Sequence, residues 1–273
     1  MKIAIHILLW LITGMATCAA QTKESLDQRD IIYTTASDSY SQEKCRLDIH
    51  IPAHEEPFVT VIWFHGGGLT SGNKEIPEAL KNKGVAVVSA SYRFAPHVSV
   101  KEIIRDAAEA VHWTYENIER FGGRKDKIVI AGYSAGAYLA MMLALNKEYV
   151  AYHDIEVDNM LGIIPVSGQT ITHFAARNAL GLPETQPLVD SLAPLFWVRK
   201  DAPPITLITG DRELEMLGRY EENAYLQRML HIVGHKNSRL FEIGGYDHGV
   251  TFPAFPLLLK QVAQWAKAHN QRK

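Results

Sequence analysis

Residues 132–136 read Gly132-Tyr133-Ser134-Ala135-Gly136, and no other short stretch restricts the fold as much. A branched apolar run, Lys127-Ile128-Val129-Ile130-Ala131, leads into it, and a small-residue apolar run at 137–145 leads away. Strand, glycine-flanked serine and helix together form a nucleophile elbow. A serine hydroxyl is a weak nucleophile, so it has to stand clear of the sheet and within reach of a base. A tight strand-to-helix turn puts it there. Gly132 and Gly136 leave room for backbone that a side chain would obstruct. The helix that follows turns its free N–H groups toward the place where negative charge develops. The same letters also occur by chance in glycine-rich turns, so the neighbouring segments decide.

A buried strand and helix need a large core. The 273 residues, 47% hydrophobic, fit one sizeable α/β domain. Lys plus Arg number 28 and Asp plus Glu 30, so no basic excess points to nucleic acid. His231 and His235 have metal-ligand spacing, but Gly234 interrupts the helix that would present them. They read as solvated histidines, and neither a metal nor a cofactor is expected. At the N-terminus, Lys2, an apolar run at 3–15 and small residues at 16–20 read as a secretory signal too short for a comfortable membrane span. Cleavage is expected after Ala20, leaving residues 21–273 as a single catalytic domain, periplasmic or secreted. A lipoprotein signal acylated at Cys18 is the alternative. Cys45 then reads as a small buried apolar residue.

Along the chain, 30–35 and 45–51 read as strands of an antiparallel hairpin at one sheet edge, with Leu47, Ile49 and Ile51 alternating with polar residues. Runs at 59–64 and 85–90 are apolar throughout, as in strands buried on both faces. Residues 100–120 keep a helical rhythm until Gly122-Gly123 stops it. Further strands are expected at 127–131, 161–166, 205–209 and 239–243, and helices at 135–145, 217–233 and 255–269. Alternating strands and helices imply a mostly parallel sheet with helices on both faces. The long interval 169–204 breaks the rhythm, with one short helix at 170–180. It reads as a small cap inserted after the sixth strand.

A serine nucleophile needs an oxyanion cradle, a base and an acid. His65-Gly66-Gly67-Gly68 follows the 59–64 strand, and its glycines let backbone N–H groups face a substrate oxygen. The N–H groups of Gly66, Gly67 and Ala135 are the expected oxyanion donors. His65 is expected to fix this loop. The base should come late, and His248, in Gly244-Gly245-Tyr246-Asp247-His248-Gly249, occupies that place. For the acid, Asp211 lies nearest the end of the 205–209 strand, where the scaffold is most rigid. Glu213 and Glu215 are rivals two and four residues on, and the bland reading of Asp211 is a turn-capping aspartate. Tyr133, Trp197 and Tyr246 are candidate pocket residues that could equally be core.

The order Ser134, Asp211, His248 with an upstream His-Gly-Gly-Gly resembles the α/β-hydrolase superfamily, within it the hormone-sensitive-lipase-like and acetyl-xylan or feruloyl-esterase-like carboxylesterases. Trp63 to Gly68, Ser91 to Pro96, 128–139, Gly210-Asp211 and Asp247-His248-Gly249 carry the resemblance, over about 30–270. It implies an esterase acting on acyl esters, with carbohydrate-linked acetyl or feruloyl groups favoured and small-molecule or glycan esters as partners. It also implies that Tyr92 and Arg93 brace the oxyanion loop, beside the plainer reading of strand-end packing. The chain departs from the hormone-sensitive-lipase pattern in having Tyr133 before the serine and Ala137 after Gly136, and in lacking that branch's N-terminal cap. An amide hydrolase is the rival enzyme, and a non-catalytic binding module the rival of another class. Nothing in the sequence sets an oligomeric state.

Overall fold

The computed structural model describes residues 24–53 and 57–271. The expected signal segment 1–20 and Cys18 lie outside them. Eight strands form one sheet: β1 (Leu26–Ile32), β2 (Arg46–Ile51), β3 (Val59–Phe64), β4 (Val85–Ala90), β5 (Ile128–Tyr133), β6 (Gly162–Val166), β7 (Ile205–Gly210) and β8 (Ser238–Ile243). The spatial order is β1-β2-β4-β3-β5-β6-β7-β8. β1 and β2 pair antiparallel at one edge, β2 pairs antiparallel with β4, and the remaining pairs are parallel. This is the expected mostly parallel sheet with an antiparallel opening hairpin. Its β1 starts earlier than the alternation suggested, and its two strands are joined by a short helix, α1 (Ser39–Lys44), which Asp38 caps through the Ser41 N–H.

Every residue of β3 and β4 is buried, which explains their unbroken apolar composition. Successive β3 side chains go to opposite faces. Ile62 and Phe64 join the core under α2 (Val100–Asn117), α3 (Ala135–Leu145) and α6 (Arg219–Ile232), while Val59, Val61 and Trp63 join the core under α7 (Thr251–Gln271). α2 shows why a sequence rhythm becomes a helix. Ser99 and Glu102 form a capping box at its start, Ile103, Ile104 and Val111 are fully buried, and Gly122 ends the following turn at φ 92°. Each fully buried aliphatic side chain of this kind contributes roughly 1.5–3 kcal/mol relative to exposure.

The interval 167–204 holds no strand. It contains the short α5 (Phe174–Ala179) and one 3-10 turn at Pro194–Trp197. Polar side chains tie it down: Arg177 donates to the carbonyls of Thr172, Glu184 and Gln186, and the Tyr138 hydroxyl donates to the Leu192 carbonyl. A short α4 (Glu148–Ala151) packs on α2. His235 corrects the expectation of solvated histidines. It is buried, with Nε2 directed at the Ala202 and Pro203 carbonyls, whereas His231 is exposed. Cys45 is buried and free, as a small apolar residue would be. Among the described residues no helix is long and apolar enough to cross a membrane.

Candidate active site

Three loops at the carboxyl ends of β5, β7 and β8 meet at Ser134. Its own loop is the tightest. Ser134 sits at φ 54° and ψ −114°, strained for any residue with a side chain. The strain holds because close backbone packing leaves no alternative. A Cβ on Gly136 would lie 2.0 Å from the Phe64 carbonyl oxygen, so only glycine lets α3 start this close to β3. The Ser134 N–H is fixed on the Val166 carbonyl at 2.8 Å. A serine before a helix ordinarily caps it, but the Ser134 side chain makes no capping bond and its hydroxyl is left free.

That hydroxyl is 3.0 Å from Nε2 of His248. The other imidazole nitrogen, Nδ1, is 2.7 Å from Oε1 of Glu215. With a carboxylate at Nδ1, that nitrogen carries the proton and Nε2 accepts from Ser134. Tyr133 secures the His248 loop by donating its hydroxyl to the His248 carbonyl at 2.6 Å.

The carboxylate facing His248 is Glu215, and this corrects the choice of Asp211. Asp211 does what a turn aspartate does. Its Oδ2 accepts the Gly245 N–H at 2.8 Å and its Oδ1 the Glu213 N–H at 3.0 Å. Its carbonyl accepts the Leu214 and Glu215 N–H groups, forming a single helical turn. That turn carries the side chain four residues on back over the end of β7. Proximity to the strand end is a poor guide here, because the position nearest the strand holds the turn and the turn presents the Glu215 carboxylate to His248. The Gly-Asp pair opening a short polar stretch was the available signal, since it favours a capped turn.

Glu215 is well suited to the place. Its side chain is 1% exposed. Besides His248 it accepts from Met216 N–H at 3.1 Å, from Gly210 N–H at 3.2 Å and from the Ser167 hydroxyl at 2.5 Å. Burial alone would raise its pKa, but the bonds from His248, Ser167 and Met216 outweigh burial and hold the carboxyl at about 2. Ser167, at φ 53°, was not singled out in the sequence. Its Oγ also lies 3.0 Å from His248 Nδ1. Behind it, the buried Arg219 donates to the Ser167 carbonyl.

The glycine loop after β3 lies against Ser134. A Cβ on Gly66 would fall 2.9 Å from the Tyr133 ring and 3.3 Å from Ser134 Cβ. Ala135 opens α3, so its N–H has no intrahelical carbonyl. The Gly67 carbonyl accepts the N–H groups of Thr70 and Ser71, closing the loop on itself. His65 Nδ1 donates to the Gly66 carbonyl at 2.6 Å, and burial depresses the His65 pKa to about 4, so it is a neutral loop brace. Tyr92 stacks on it at 4.4 Å and donates to the His65 carbonyl at 2.8 Å, while Arg93 forms a two-pronged pair with the buried Asp106 of α2. Bracing of the glycine loop therefore describes Tyr92, whereas Arg93 ties the end of β4 to α2, as strand-end packing does.

A cavity of about 340 Å³ opens beside Gly66, walled by Trp63, Tyr133, Phe252 and Phe255, with Asn73 and Glu75 at its polar side. Tyr133 is thus a pocket residue. Trp197 and Tyr246 do not line it. Trp197 donates its indole N–H to the Ser191 carbonyl and faces a separate cavity of about 730 Å³ with Lys101, Arg105 and Tyr149. Tyr246 is 46% exposed and is held at its backbone, where its carbonyl accepts the Asp211 N–H.

Residues 47–216 match the model of the family described as BD-FAE. The chain belongs to the BD-FAE family. The matched span runs from β2 to the Glu215 turn, so it includes Ser134 and Glu215 and stops short of His248. Among curated relatives of this BD-FAE chain, Esterase LipC of Mycobacterium tuberculosis is 26% identical over 75% of the chain and 58% of its own length. Juvenile hormone esterase of Heliothis virescens is 30% identical over 44% of the chain and 25% of its own length. The BD-FAE chain therefore spans little more than half of the first relative and a quarter of the second. Two solved structures superpose closely. A truncated carbohydrate esterase from gut microbiota gives a TM-score of 0.74 at 17% identity, covering 91% of this chain and 99% of that one. Esterase B of Lactobacillus rhamnosis gives 0.74 at 19% identity, covering 92% and 90%. At these identities they establish the α/β-hydrolase fold.

Proposed function

We propose that the protein is a serine carboxylesterase in which Ser134 is the nucleophile, His248 the general base and Glu215 the acid that orients it. One observation carries this reading: His248 bridges Ser134 Oγ at 3.0 Å and Glu215 Oε1 at 2.7 Å through its two ring nitrogens. As Ser134 Oγ attacks the ester carbonyl, its proton passes to His248 Nε2. Glu215 stabilises the imidazolium that forms. The N–H groups of Gly66, Gly67 and Ala135 hold the oxyanion, and each such donor typically supplies about 2.7–4 kcal/mol. His248 returns the proton to the departing alcohol, leaving an acyl group on Ser134. Water then gives its proton to His248, its oxygen attacks the acyl carbon, and the acid leaves as Ser134 regains its proton.

The cavity beside Gly66 supports a substrate larger than a bare acetyl ester. Its aromatic walls suit a ring-bearing group, an aryl acyl chain or a sugar ring, with Asn73 and Glu75 able to meet hydroxyls. The interval 169–204 supports a cap role through α5, since the Phe174 ring lies against Gly68 of the oxyanion loop. Export through residues 1–20 remains part of the reading. The N-terminal sequence of the protein recovered outside the cytoplasm, starting at Gln21, tests it.

The enzymatic test is labelling by a fluorophosphonate probe beside a panel of p-nitrophenyl acyl esters, acetylated and feruloylated glycans, and aminoacyl amides. The wild type is labelled, Ser134→Ala is not, and esters are cleaved in preference to amides. Faster amide cleavage would make the protein an amide hydrolase, and an unlabelled, folded wild type would leave it a binding module.

A further inference from the structure

We infer that Ser167 is a positioning residue for the general base: its hydroxyl ties Glu215 and His248 into one unit and holds the imidazole in register with Ser134. The inference rests on the Ser134–His248–Glu215 reading above and adds a fourth side chain to it. Ser167 Oγ is placed against both partners. It lies 2.5 Å from Glu215 Oε2 and 3.0 Å from His248 Nδ1. A carboxylate only accepts, so the hydroxyl proton goes to Glu215, and a lone pair of the same oxygen remains for the Nδ1–H. The Nδ1–H is then shared between Glu215 Oε1 and Ser167 Oγ, and the plane of the ring is defined by two acceptors instead of one. When Nε2 takes the Ser134 proton, both acceptors already point at the imidazolium and need not reorganise.

Ser167 is built into this place. Its N–H is donated to the Ile208 carbonyl of β7 at 2.7 Å, and it adopts φ 53°, which a residue with a side chain rarely holds. One face of α6 then clamps the backbone from 167 to 170. Arg219 donates to the Ser167 carbonyl, Asn223 to the Gly168 carbonyl at 2.8 Å, and Glu222 accepts the Thr170 N–H at 2.9 Å. Positions 219, 222 and 223 are one turn apart and face one way. Arg219 and Asn223 are buried there, a costly arrangement for a plain chain crossing. The Ser167 bonds run to Glu215, His248, Ile208 and Arg219, and among the described residues none of these four lines the cavity beside Gly66.

Two variants separate positioning from structure. Ser167→Ala and Ser167→Gly both delete the hydroxyl, but glycine accepts φ 53° without strain and alanine does not. If the hydroxyl positions the base, both lower kcat on a p-nitrophenyl ester by roughly 10- to 100-fold, as expected for loss of a hydrogen bond to a charged group. KM stays within about twofold. The melting temperature of Ser167→Gly equals or exceeds that of Ser167→Ala although the two share the loss of rate. The far-downfield proton resonance of His248 Nδ1 moves in both. A Ser167→Gly enzyme with wild-type kcat and an unmoved resonance overturns the proposal, as does a rate loss that follows melting temperature rather than the hydroxyl. An unlabelled wild type in the fluorophosphonate test removes the underlying triad reading and this proposal with it. A labelled wild type with an indifferent Ser167 removes this proposal alone.

Discussion

At the scale of single residues, the site depends on how completely Glu215 is satisfied. Four donors surround its two oxygens, and this lets a carboxylate with 1% exposure remain ionised. Asp211, four residues earlier, spends its oxygens on backbone N–H groups. Asp211→Asn keeps one acceptor oxygen but turns an NH2 toward the second backbone N–H, so it is expected to lower the denaturation midpoint slightly, with kcat falling by no more than a few fold. Denaturant melts and ester kinetics on the same sample check both halves. Tyr133 is a milder case. Its hydroxyl anchors the His248 carbonyl, so Tyr133→Phe should lower kcat severalfold as the loop loosens, while the ring keeps its place in the cavity wall.

At the scale of elements, the elbow and the glycine loop make different demands on glycine. A methyl group on Gly136 would meet the backbone of Phe64 at 2.0 Å, and neither β3 nor α3 can retreat from a sheet buried on both faces. Gly136→Ala is expected to destabilise by several kcal/mol and to lose folded protein before activity can be measured. A methyl group on Gly66 meets the Tyr133 ring at 2.9 Å and Ser134 Cβ at 3.3 Å, side-chain atoms rather than the backbone that Gly136 would meet. Gly66→Ala should cost less stability than Gly136→Ala yet lose about 100-fold in kcat/KM, since the methyl intrudes beside Ser134, where the proposed oxyanion donors lie. Thermal melts with ester kinetics separate the two variants. These elements were legible in the sequence because each has a local cause. Apolar runs make β3 and β4, a glycine-flanked serine makes the elbow, and a late loop supplies His248. Glu215, Ser167 and Trp197 were less legible because their roles depend on where a turn sends the chain. A residue four positions along a helical turn points back over the strand, one at a strand end meets a partner 81 positions away, and an indole bonded to Ser191 faces the other cavity.

At the scale of the whole molecule, the parallel sheet gathers the site. Ser134, Glu215 and His248 follow β5, β7 and β8, and all three loops emerge at one end because those strands run the same way. The site and the stability of the fold are linked through Glu215. Its folded pKa, about 2, lies below the ordinary 4.5, so its contribution is complete above about pH 4.5 and is lost as pH falls toward 2. The difference corresponds to something on the order of 3 kcal/mol. Denaturant melts at pH 7 and pH 3 should show wild type losing more stability than Glu215→Gln over that interval, and equal losses would contradict the bonding described for Glu215. Three crossovers bring the proposed nucleophile Ser134, base His248 and acid Glu215 together at this end of the sheet. The most direct measurement is kcat/KM on a short p-nitrophenyl ester for Glu215→Gln beside Asp211→Asn, each shown to be folded. If Glu215 orients His248, Glu215→Gln loses roughly 10³- to 10⁴-fold, as for other triad acids, and Asp211→Asn loses no more than a few fold. The reverse ranking, or an unaffected Glu215→Gln, would contradict it.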